Sequence, residues 1–114
     1  MRKKVYIAGK VTGLEPREVY LKFKKSELAV AASGFLAINP IEVVDDENAT
    51  WQGAMRLCIA ALMRCDAILM LPCFINSKGA AMERELAISV DIKVFYNLDD
   101  LKQWNSSQPH TPSR

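Results

Sequence analysis

Four places in this 114-residue chain carry residue types and spacings that can do chemistry. Gly9-Lys10-Val11-Thr12-Gly13 directly follows an apolar run. Glycines there let a backbone turn sharply and approach a ligand closely. The spacing fits neither the dinucleotide fingerprint nor a P-loop, and a plain strand-to-helix turn accounts for it equally well. Ser77-Lys78-Gly79 reads as a helix N-terminus. Free N–H groups and the positive dipole end suit a phosphate or carboxylate there, although a serine in that place also simply caps. Glu83 lies about one turn into the same helix. Glu85 points roughly 200° away around that helix, so the two cannot share one pocket. By spacing alone, Glu83 is also an ordinary exposed helix glutamate. Tyr6 is a polar aromatic in an otherwise aliphatic strand, which core packing with a satisfied hydroxyl explains. Cys58 and Asp66 complete the set. Asp66 opens a strand and is expected to accept from nearby backbone N–H groups.

Composition excludes several chemistries. The single histidine is His110, in a polar tail. Histidine acid–base catalysis, a Ser-His triad, a Cys-His pair and a His-ligated metal are therefore not expected. The three cysteines, Cys58, Cys65 and Cys73, sit in apolar segments and match no zinc spacing. They read as reduced, buried thiols. No metal and no cofactor is expected; carboxylates, a tyrosine or lysines must do any work. The net charge of +2 marks no acidic or strongly basic partner, and the lysines at 3, 4, 22, 24 and 25 read as solvated faces rather than a nucleic-acid patch. No apolar run reaches the roughly 18 residues of a membrane span, and no signal peptide is visible. A cytoplasmic protein without a membrane or nucleic-acid polymer partner is expected.

The elements that must position these residues alternate. Val5–Ala8 reads as a strand buried on both faces. Pro16, with Glu15 beside it, opens a helix on which Val19, Phe23 and Val30, with Tyr20, Leu28 and Ala31, repeat at helical spacing. Gly34 stops that helix in a left-handed position. Phe35–Ile38 is the second strand, ended by Asn39-Pro40, and 41–49 reads as an acidic surface loop. Thr50 caps a helix with the stripe Trp51, Met55, Ile59 and Leu62. Asp66–Leu71 is the third strand, closed by Pro72. Ser77 caps a helix carrying Met82, Leu86 and Val90. Ile92–Tyr96 is the fourth strand, and a short helix runs from Leu98 to Trp104. Strands alternating with helices predict an α/β fold, a three-layer flavodoxin-like or Rossmann-like parallel sheet of four to five strands, in one domain over 1–104 with a disordered tail over 105–114. In such folds ligands bind outside the carboxyl ends of the strands. The loops at 9–13, 39–50 and 72–79 fall there.

Read together, Tyr-Ile-Ala-Gly ending the first strand, Cys-Asp-Ala-Ile before the third, and Ser-x-Gly-x-x-x-Glu resemble the nucleoside 2-deoxyribosyltransferase superfamily. The likeness spans residues 4 to 97 and is closest to a phage and bacterial branch of unknown function. It implies that Glu83 attacks the anomeric carbon of a 2-deoxyribosyl group and that Tyr6 positions it. Transferases carry an aspartate where this chain has Ser77. The related 2′-deoxynucleoside 5′-phosphate N-hydrolases carry a serine, so Ser77 points to a nucleotide. Gly9, Lys10 and Gly13 match the loop lining that pocket. Relatives often place an aspartate where this chain has Cys58, and a neutral thiol is a poor substitute. The resemblance also implies a homo-oligomer, with Trp51 and Met55 as interface candidates. The expected function is an N-glycosidase or deoxyribosyltransferase acting on 2′-deoxynucleotides. The alternative is a catalytically idle nucleotide-binding or sensor module. A cytokinin-type phosphoribohydrolase ranks low, because its Pro-Gly-Gly-x-Gly-Thr signature is absent.

Overall fold

Backbone alternation along two central strands sets the layers of this protein. The computed structural model describes residues 2–107. Strands β1 (Lys4–Ala8), β2 (Leu36–Ile38), β3 (Ala67–Met70) and β4 (Lys93–Phe95) form one sheet in the order β2-β1-β3-β4. All its pairings are parallel, with Tyr6 opposite Ile38 on one side and Ile68 on the other. Successive side chains point to opposite faces. Val5, Ile7, Ala67 and Leu69 therefore join one core with Val19, Phe23 and Val30 of helix α1 (Pro16–Ala32) and Leu101 of α5 (Leu98–Ser107). Tyr6, Ala8, Ile68 and Met70 join the other, with Cys58 and Leu62 of α3 (Trp51–Leu62) and Ala80 and Ala87 of α4 (Lys78–Ser89). The expected α/β parallel architecture is present, with four strands.

The helix boundaries follow local chemistry. The Glu15 carboxylate accepts the N–H groups of Arg17 and Glu18 ahead of Pro16. Thr50 Oγ accepts from Gly53 N–H at 3.0 Å, and Ser77 Oγ from Ala80 N–H at 3.1 Å, as N-caps do. Gly34 adopts φ +97°, the left-handed stop expected of it. Asp66 Oδ2 accepts from Lys4 N–H at 2.9 Å, tying the start of β3 to β1 as its position suggested.

Several expectations are corrected. Residues Pro40–Val44 form a short helix, α2, rather than the start of a loop. Asn39 Oδ1 accepts from Ile41 N–H, and Pro40 takes the first helical position, so the pair that ends β2 also starts a helix. On α1, Tyr20, Leu28 and Ala31 face solvent. On α4 the stripe is rotated. Gly79, Ala80, Glu83 and Ala87 are buried, whereas Met82 and Val90 are exposed and Leu86 is half-buried. Small residues win that face because α4 packs closely on the sheet and on α3; a Cβ on Gly79 would stand 3.0 Å from Met55 Sδ. Trp51, Met55 and Ile59 are only half-buried. Helix α5 continues through Asn105 to Ser107, past the expected end at Trp104; its Trp104 ring stacks on Phe35, with centroids 6.0 Å apart. The rest of the expected tail, His110 included, lies outside the described residues. Among those residues no helix is long and apolar enough to cross a membrane.

Candidate functional site

The carboxyl ends of β1, β2 and β3 open into one cleft of about 1270 Å³. All three loops expected there contribute to its wall. Tyr6 rises from β1 toward the α3/α4 face because it is one residue out of phase with Val5 and Ile7. Glu83 stands one turn inside α4 and faces the same layer. The two meet: Tyr6 O–H donates to Glu83 Oε2 at 2.6 Å. Tyr6 is fully buried and Glu83 is 5% exposed. Among the described residues that is the one hydrogen bond of Glu83, and its second carboxylate oxygen has no partner there. Glu83 also lines the cleft. It is thus a buried carboxylate with one oxygen held and the other available.

Burial dominates the electrostatics of this pair. It pushes the Glu83 carboxyl from 4.5 up to about 7, against the opposing pull of the Tyr6 hydroxyl. Tyr6 is driven upward by burial first and by the Glu83 charge second, so it keeps its proton at neutral pH. Cys58 lines the cleft and interacts with Tyr6. Burial raises its thiol, with the Glu83 charge adding to the rise and the Tyr6 hydroxyl opposing it. The thiol is protonated at neutral pH and is a weak acid.

The remaining expected residues fall as follows. Gly9, Lys10, Ser77, Lys78 and Gly79 line the cleft. Gly13 does not. It adopts φ +83°, and its part is to turn the backbone. A Cβ on Gly9 would press on Leu71 at 3.0 Å, so glycine lets the loop lie close to β3. The Ser77 hydroxyl oxygen is occupied as the α4 cap, and its proton remains free to donate. Lys78 Nζ sits over the Trp51 ring, 4.8 Å from its centroid. The loop after β1 is clasped from below: Lys22 Nζ donates to the Lys10 carbonyl and to Cys73 Sγ, which also accepts from Lys10 N–H. These bonds pull the Cys73 thiol below its usual range despite the opposing burial. The three cysteines are free thiols, with Cys58 and Cys65 buried and Cys73 half-buried.

Trp51 and Met55, expected at an interface, line the cleft. The loop 39–50 is expected at the strand ends, but the sequence singles out none of its side chains; Asp45, Asp46, Glu47 and Asn48 line the cleft. No group of three or more potential metal-ligating side chains occurs among the described residues.

A family model described as "Domain of unknown function (DUF4406)" matches residues 3–96. No curated protein and no solved structure matches the chain.

Proposed function

Because the chain belongs to the DUF4406 family, whose description states no activity, we propose its function from the cleft: cleavage of the N-glycosidic bond of a 2′-deoxynucleoside 5′-phosphate, with Glu83 as nucleophile. The observation that carries this reading is the buried Glu83 carboxylate beside the cleft, one oxygen held by Tyr6 at 2.6 Å and the other without a partner among the described residues. Breaking the bond builds positive charge on the sugar ring. A carboxylate below the ring stabilises that charge and can trap it covalently. The C1′–N bond breaks with its electron pair going to the base, and a C1′–O bond forms to Glu83. Water, or an acceptor base in a transferase, then displaces the glutamate. The resemblance to nucleoside 2-deoxyribosyltransferases assigns the same roles to Glu83 and Tyr6. Incubation with a panel of deoxynucleotides, scored for free base, tests the reading. Release of base is expected.

The phosphate subsite in this reading is the α4 N-terminus with Ser77 and Lys78. Ser77→Ala removes a hydroxyl donor and the helix cap. It is expected to weaken nucleotide binding by about 1–2 kcal/mol. Nucleoside binding should change far less, as calorimetry with both ligands would show. Equal losses would remove the phosphate role.

Cys58 favours a second reading. With a weak acid where nucleoside 2-deoxyribosyltransferases often have an aspartate, the chain would be a nucleotide-binding module without turnover. A deoxynucleotide that raises the melting temperature without releasing base would establish that reading.

The protein is also proposed to form a homo-oligomer. Leu57 of α3, Ile75 of the turn before α4 and Met82 of α4 are exposed large hydrophobics on the elements that border the cleft. Sedimentation at micromolar concentration should give a dimer or larger species. A monomer there would overturn this.

A further inference from the structure

The cleft is equipped to hold a sugar phosphate but poorly equipped to protonate a leaving base. This matters only if the glycosidase reading above holds, and the inference rests on it. A neutral purine or pyrimidine leaves C1′ as an anion unless an acid meets it. Tyr6 has one proton, and it is directed to Glu83. The Cys58 thiol is a weak acid, buried and facing the Glu83 charge. The described residues contain no histidine. Lys10 and Lys78 line the cleft, Lys78 at the start of α4. On the β2 side the wall carries Asp45, Asp46 and Glu47, all exposed. Among the described residues none of the three is paired with a lysine or arginine. Strands β2 and β3 flank β1 and lie about 10 Å apart; the acidic stretch follows β2 through α2, and α4 follows β3 through the turn at 72–76. A ligand with its phosphate at α4 and its base toward the β2 side would meet negative charge at the base.

We propose that the preferred substrate is a 2′-deoxynucleoside 5′-phosphate whose base already carries a positive charge, an N-alkylated purine, drawn by Asp45, Asp46 and Glu47 and needing no acid from position 58. For an N7-alkylated guanine the balance closes without a catalytic acid. The C1′–N9 bond breaks and its electron pair neutralises the cationic imidazolium ring, so the base departs neutral. Glu83 takes the sugar carbon. Water then adds at C1′, the glutamate leaves, and the proton of the water passes to solvent. The products are the free alkylated base and deoxyribose 5-phosphate.

The test compares N7-methyl-dGMP with dGMP at pH 6.5, where the alkylated ring keeps its N1 proton and its positive charge, each corrected for spontaneous loss in buffer. The unaltered chain should release 7-methylguanine at least about tenfold faster than guanine. Cys58→Asp restores a carboxyl near the leaving base and should narrow that gap by raising guanine release. The substrate comparison on the unaltered chain decides even if that variant does not fold. Equal release from both nucleotides overturns the substrate preference and leaves the glycosidase reading standing. Release from neither overturns the preference, and the deoxynucleotide panel decides the glycosidase reading separately.

Discussion

Glu83→Gln is expected to abolish base release, a loss of about 10³-fold or more, the scale of removing a nucleophile or a key charge. The amide keeps the shape and can still accept from Tyr6, so the geometry at the cleft floor survives. What disappears is the charge facing the sugar carbon. Ligand binding should survive, because that charge acts mainly on positive character that develops in the transition state. Free base measured by chromatography, beside nucleotide affinity measured by calorimetry, separates the two effects. Unchanged turnover in the variant would remove Glu83 from the mechanism.

The same substitution should stabilise the fold at neutral and higher pH. In the native state the Glu83 carboxyl titrates at about 7 instead of 4.5, because burial disfavours its charge. The native state therefore holds this proton more tightly than the unfolded chain does. Below the unfolded value both states are protonated, and the residue costs nothing. As pH rises past that value the unfolded chain ionises first, and stability falls until the native carboxyl ionises too. The loss is complete above about pH 7 and is on the order of 3 kcal/mol. Glutamine does not titrate. Urea unfolding of both proteins between pH 4 and 8 should show near-equal stability at the acid end and a growing advantage of the variant toward pH 8. A difference that stays flat across that range would refute a perturbed Glu83. Turnover should move the opposite way, rising with pH through about 7, since the nucleophile must be ionised.

Much of this protein is written in short-range pattern. The apolar run Val5–Ala8, the proline and cap at the start of α1, the left-handed Gly34 and the caps Thr50 and Ser77 are local signals, and each keeps its expected part. Alternation of strand and helix was enough for a parallel sheet, because parallel neighbours need a crossover between them. By type and spacing alone Tyr6 and Glu83 are ordinary residues, and only the resemblance of the motifs read together singles them out. Periodicity could not tell how α4 is rolled against the sheet. Met82 and Val90 look like core by hydrophobicity and lie outside, while Ala80, Ala87 and the charged Glu83 lie inside. The roll is decided by close packing of small side chains on β3 and α3, a property of two surfaces meeting rather than of either segment. The same roll buries Glu83 beside Tyr6, 77 positions away in the chain, and gives the carboxyl a proton affinity that its own neighbours in sequence could not give it. The loop that holds the acidic stretch 45–47 is expected at the strand ends, but its carboxylates read as solvated surface and not as the cleft wall they form. Only the placement of β2 beside β1 carries it there, because strand order depends on which apolar faces can be covered together and is not encoded within any one element.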